Sequence, residues 1–147
     1  MKPTILLVED NEDDAFFLQR ALRKAHVDNP LHVLGDGQNA KSYLEGSGIY
    51  ADRTQFPVPL AVFLDLNLPR VSGLQLLKWI RGQSGFEQIR VIVLTSSYLD
   101  TDLERAYDLG ADSFLVKTGS QEQLVAMVRS VREILEVREA TETEVFA

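Results

Sequence analysis

The chain has 147 residues, 45% of them hydrophobic and 25% charged, which is enough for one buried core and the usual balance of a globular domain. Fifteen basic against 22 acidic side chains leave a formal net charge of -7, which argues against nucleic-acid binding through a basic face and favours solubility or a cationic partner. No cysteine is present, so disulfides, thiolate metal sites and thiol nucleophiles are excluded. The absence of a long apolar run or a cleavable leader predicts a cytoplasmic protein with no membrane contact.

Ile5-Leu6-Leu7-Val8 reads as a buried strand that runs into Glu9-Asp10. Asn11 is positioned to cap the next helix, whose first turn carries Glu12, Asp13 and Asp14, acids that suit its positive end. Phe16, Phe17, Leu18, Ala21, Leu22 and Ala25 follow at helical spacing, and the helix ends between His26 and Pro30. Leu31-His32-Val33-Leu34 is a second strand, and a short helix around Asn39 to Glu45 presents Ala40, Tyr43 and Leu44 to the core. Residues 46–59 break this rhythm with two glycines, two prolines, Tyr50 and Phe56, and read as a loop longer than the usual connection.

A third strand, Leu60-Ala61-Val62-Phe63-Leu64, runs directly into Asp65, and Leu66-Asn67-Leu68-Pro69 and Gly73 follow. A helix is predicted from about Ser72 to Arg81, in which Trp79 belongs to the core stripe. Val91-Ile92-Val93-Leu94 is a fourth strand, delivering Thr95-Ser96-Ser97. A helix near Asp100 to Leu109 stops at Gly110, and Ser113-Phe114-Leu115-Val116 is a fifth strand, delivering Lys117. The last helix begins near Ser120 and carries Leu124, Met127, Val128, Val131, Ile134 and Leu135. Residues 1–138 are expected to form the domain and 139–147 an acidic tail that frays, with Val137, Val145 and Phe146 as a hint of a contact surface.

Five strands alternating with five helices predict an α/β fold, a doubly wound parallel sheet of order 2-1-3-4-5 with helices on both faces. In such a sheet ligands bind beyond the carboxyl ends of the strands, and four strands here end in Glu9-Asp10, Asp65, Thr95 and Lys117. Asp65 by itself is either a helix cap or a working acid. Taken with the others it belongs to a crevice of three carboxylates whose mutual repulsion a divalent cation relieves, and an all-oxygen site suits Mg²⁺. Lysine and threonine opposite suit an arriving phosphoryl group, which a carboxylate can attack to form an acyl phosphate.

These residues resemble the receiver domain of two-component response regulators, and the match runs from the first strand through the last helix. Thr95 follows Asp65 by 30 positions and Lys117 follows Thr95 by 22, intervals that match the family's. The resemblance implies Asp65 as phosphoacceptor, with Glu9, Asp10, Asp65 and the backbone carbonyl of Asn67 around Mg²⁺. It also implies Thr95 and Lys117 on the phosphoryl oxygens and Phe114 as a switch aromatic. The chain would promote its own phosphorylation and dephosphorylation without being an enzyme on an external substrate. Partners implied are a histidine kinase, a downstream protein or phosphotransfer partner, and a second copy, forming a homodimer through the last two helices and the fifth strand. The 46–59 loop and the Asp65-to-Pro69 wording resemble stand-alone receivers paired with phytochrome-type histidine kinases, and no output domain is expected.

Two residues depart from the family pattern. Thr118 stands where a proline in a cis peptide is usual, and a cis bond before a non-proline costs about 2.5–4 kcal/mol, so the aim of Lys117 is in question. Phe114 lacks the hydroxyl of the tyrosine often found there. Three alternatives follow. A flavodoxin-like cofactor carrier would need a Ser/Thr/Gly-rich loop where Glu9-Asp10-Asn11-Glu12 stands. A phosphate-ester hydrolase would need a second acid at Asn67. A degenerate receiver acting as a phosphorylation-independent binding module is kept open by Thr118. Asn67 and Ser97 occupy positions resembling those that tune phosphoryl lifetime, and His26 and His32 lack a second metal-type ligand nearby.

Overall fold

A computed structural model of the chain describes residues 2–96 and 101–146, with side chains through Leu135. Ser97, Asp100 and the side chains of Val137, Val145 and Phe146 therefore lie outside the described residues. The strands are β1 (Ile5–Val8), β2 (Leu31–Leu34), β3 (Ala61–Asp65), β4 (Arg90–Thr95) and β5 (Ser113–Val116). The helices are α1 (Glu12–Lys24), α2 (Gly37–Glu45), α3 (Gly73–Gly82), α4 (Thr101–Asp108) and α5 (Gln121–Phe146). All strand pairs are parallel and the sheet order is β2-β1-β3-β4-β5, as the alternation predicts.

The sheet divides the core into two halves because alternate side chains on each strand point to opposite faces. Ile5, Leu7, Phe63, Ile92, Leu94 and Leu115 pack against α1 and α5. Leu6, Val8, Val62, Leu64, Val91 and Val93 pack against α2, α3 and α4. Every residue of β1 and β3 is buried, which is why those segments read as unbroken apolar runs rather than alternating ones.

α1 starts on its expected cap. The Asn11 side chain accepts from the Asp14 N–H, and Ser72 and Gln75 form a reciprocal capping box at α3. α2 begins at Gly37 rather than Asn39 because the Asp36 carboxylate accepts from the Asn39 N–H and opens the helix two residues earlier. The backbone of α5 continues through residues 139–146 instead of fraying after Arg138, since that stretch holds helix-forming Glu and Ala and no Gly or Pro.

Residues 46–59 are long but ordered. The half-buried Arg53 guanidinium donates to the carbonyls of Tyr43 and Leu44 in the last turn of α2 and to that of Phe56 in the loop. Tyr43, Tyr50 and Phe56 pack ring against ring with centroids 5.1–5.8 Å apart, and the Tyr43 hydroxyl donates to the Pro57 carbonyl at 2.9 Å. His32 lies against Tyr43 and Phe56.

Candidate functional site

Strand register explains which side chains meet. Asp65 pairs with Leu94, and Leu94 pairs with Leu115, so all three share the face toward α1 and α5. Glu9 lies two residues beyond Leu7 and Lys117 two beyond Leu115, which returns both to that same face. Short continuations of the ladder hold them there: the Glu9 N–H donates to Leu34 O at 3.0 Å, and the Lys117 N–H to Thr95 O at 2.7 Å. The result is a cluster at the carboxyl edge. Lys117 Nζ lies 2.6 Å from Glu9 Oε1, 3.0 Å from Asp65 Oδ2 and 3.2 Å from Asp14 Oδ2.

Lys117 reaches Asp65 with no cis peptide among the described residues, so Thr118 does not misdirect it. Thr95 is fully buried and falls on the opposite parity, the face that carries Val93 and Phe114. Phe114 is half-buried and meets Tyr107 of α4 edge-on, with centroids 6.2 Å apart at 87°. The hydroxyl and the aromatic therefore share the side of the sheet that faces α4.

Burial dominates the electrostatics. Glu9 is only 3% exposed, and desolvation, followed by a hydrogen bond shared with the Asp65 carboxylate, pushes its pKa up to about 7. The Lys117 contact opposes that shift without cancelling it. Burial also pulls Lys117 downward, but hydrogen bonds to Glu9 and Asp65 and their charges outweigh it, leaving the ammonium above the ordinary lysine range. One lysine is thus the local counter-charge for several acids.

The donor set fits a hard divalent cation. Glu9, Asp10 and Asp65 each offer an oxygen, and these lie within 4.8 Å of one another. Glu9 Oε1 is buried 2.6 Å from Lys117 Nζ, so a cation held by Glu9 competes with that ammonium for the oxygen. Asp65 Oδ1 accepts from the Asn67 N–H at 2.9 Å, which ties the carboxylate to the loop after β3. That loop passes very close to α3. A Cβ on Gly73 would lie 2.4 Å from Asp65 O and 2.6 Å from Leu66 Cα, so only glycine allows the approach.

The predicted set converges at one edge: Glu9, Asp65 and Lys117 in contact, and Asp10 within metal-ligand range of the first two. Thr95 ends the strand beside Asp65 and Asn67 borders it. Two participants were not singled out from sequence. Asp14 looked like an ordinary acid in the first turn of α1. Arg53, the hub of the 46–59 loop, had no legible signal, because its partners are backbone carbonyls.

A five-stranded parallel sheet of this order, with acids, threonine and lysine at its carboxyl edge, defines a receiver. Residues 5–129 match the model of the response regulator receiver domain, and the chain belongs to that family. Among similar proteins, Response regulator Rcp1 of Synechocystis sp. is 34% identical over 127 residues, covering 86% of this chain and 84% of that protein. Probable methanogenesis regulatory protein FilR2 of Methanothrix harundinacea is 38% identical over 132 residues, covering 88% and 81%. The crystal structure of the phosphorylated cyanobacterial phytochrome response regulator RcpA superposes with a TM-score of 0.80 at 32% identity, over 92% of this chain and 94% of that one. The Mn²⁺-bound form of Rcp1 superposes with a TM-score of 0.75 at 33% identity, over 88% and 91%. Among the described residues no helix is long and apolar enough to cross a membrane.

Proposed function

We propose that this receiver takes a phosphoryl group onto Asp65 from a histidine kinase, with Mg²⁺ held by Glu9, Asp10, Asp65 and the Asn67 carbonyl. The observation that carries the reading is Lys117 Nζ at 3.0 Å from Asp65 Oδ2, inside a cluster of three cation-competent acids. The similarity to Mn²⁺-bound Rcp1 supports a divalent cation. The similarity to phytochrome response regulators supports a phytochrome-type kinase as donor.

An Asp65 oxygen attacks phosphorus, a P–O bond forms, and the P–N bond to the donor imidazole breaks with the electron pair leaving on nitrogen. Lys117 neutralises charge on the incoming oxygens, and the buried setting strengthens that attraction. When bound, the cation supplies positive charge against the phosphoryl oxygens and permits three acids to stay ionised together.

The new oxygens on Asp65 draw the Thr95 hydroxyl toward them. Thr95 and Phe114 lie on one face, so this displacement biases the packing of Phe114 against Tyr107 and re-shapes the β4–α4–β5 surface for a downstream partner or a second copy. Intact-mass measurement with acetyl phosphate and Mg²⁺ tests the reading. A gain of one phosphoryl group on wild type, abolished by Asp65→Asn, is expected; no gain on wild type rejects phosphoacceptance and leaves a binding module.

A further inference from the structure

Resting on that reading, we propose that Asp14 is a positioning residue. It is a carboxylate outside the cation-binding set that holds Lys117 while the cation occupies the other acids, and yields it to the incoming phosphoryl group.

Asp14 Oδ2 lies 3.2 Å from Lys117 Nζ, yet Asp14 is not among the three acids whose oxygens converge within 4.8 Å. The cap on α1 fixes its place, since Asn11 Oδ1 accepts the Asp14 N–H at 2.9 Å. Glu9 and Asp65 are almost wholly buried, whereas the Asp14 side chain is 46% exposed, so its grip on the lysine is the weaker one. A cation on Glu9, Asp10 and Asp65 takes away the two stronger partners of Lys117 and repels its ammonium. Asp14 is the acid left in reach.

A phosphoryl group on Asp65 brings new anionic oxygens and competes with Asp14 for the same ammonium. Asp14 therefore restrains phosphorylation by lowering the availability of Lys117. In the transfer from acetyl phosphate, the P–O bond to the acetyl carboxylate breaks, acetate leaves with the electron pair, and the Asp65–phosphorus bond forms with no proton required.

The test compares wild type, Asp14→Asn, Lys117→Met and the double variant with acetyl phosphate and Mg²⁺. Asp14→Asn is expected to lower the half-saturating acetyl phosphate concentration by about 3-fold, the scale of a half-exposed ion pair. In the Lys117→Met background the effect should collapse. An unchanged or higher half-saturating concentration, or an equal effect in both backgrounds, overturns the proposal. A second readout needs no transfer: the ¹⁵N signal of the Lys117 ammonium in the Mg²⁺-loaded protein should persist in wild type and broaden or vanish in Asp14→Asn. Its persistence in the variant also overturns the proposal. Absence of a mass gain on wild type rejects the phosphoacceptor reading instead, and the ammonium signal still decides whether Asp14 holds Lys117.

Discussion

Glu9 allows a quantitative experiment on the metal-free site. Its carboxyl is raised from 4.5 to about 7 by burial first and by Asp65 second. An acid whose pKa is higher in the folded state favours folding while protonated, so its contribution is complete below pH 4.5 and fades as pH rises through 7. From linkage, about 1 kcal/mol of that contribution is lost between pH 6 and pH 8. Urea unfolding in EDTA should report it. With a slope of about 2 kcal/mol/M, the wild-type midpoint should fall by about 0.5 M relative to Glu9→Gln over that interval. Gln conserves volume and can still accept the Asn11 N–H that Glu9 Oε2 receives at 3.2 Å, so packing changes little. Cation binding must expel the same proton. About one molecule in ten carries ionised Glu9 at pH 6 and nine in ten at pH 8, so Mg²⁺ should bind about 10-fold more tightly at pH 8. Calorimetric titration in buffers of different ionisation enthalpy should count the proton released. A Mg²⁺ affinity flat from pH 6 to pH 8, or parallel urea profiles for wild type and Glu9→Gln, would refute the argument that burial holds this acid protonated.

Asp65→Asn should abolish the phosphoryl mass gain and stabilise the metal-free protein at pH 8 by about 1 kcal/mol, because a charged neighbour that disfavours ionised Glu9 is removed; unfolding in EDTA checks the second effect. Gly73→Ala should cost about 1–3 kcal/mol and slow phosphorylation, since the added methyl meets the backbone of Asp65 and Leu66; urea unfolding and mass kinetics on the same sample test the pairing. Arg53→Ala should cost about 2–3 kcal/mol by leaving the carbonyls of Tyr43, Leu44 and Phe56 without their charged donor, with acetyl phosphate kinetics unchanged. Equal losses of stability and phosphorylation in that variant would show that the 46–59 loop supports the site as well as the fold.

The receiver fold was legible because each strand is a short apolar run delivering a polar residue, and α1, α2, α3 and α5 open on a capping side chain. The five strands sit within one residue of their expected bounds. Less legible were features set by backbone partners. Nothing in the composition of residues 46–59 marks Arg53 as a hub, since carbonyl acceptors carry no side-chain signature. Asp14 was hidden for a different reason: an acid in the first turn of a helix satisfies the helix dipole by itself and asks for no further partner.

By itself the sequence determined the sheet order, the edge at which Glu9, Asp10, Asp65, Thr95 and Lys117 gather, and the oxygen-rich chemistry they offer. Local pattern suffices there, because strand parity and right-handed crossovers leave little freedom. Only the tertiary structure decided how Lys117 is aimed beside Thr118, that it shares its charge among Glu9, Asp65 and Asp14, and that Glu9 is buried deeply enough to hold a proton near neutrality. Those properties depend on distances of a few ångströms between segments as far apart as residues 9, 65 and 117. Charge interactions inside a protein vary too steeply with separation and burial to be read from spacing along the chain.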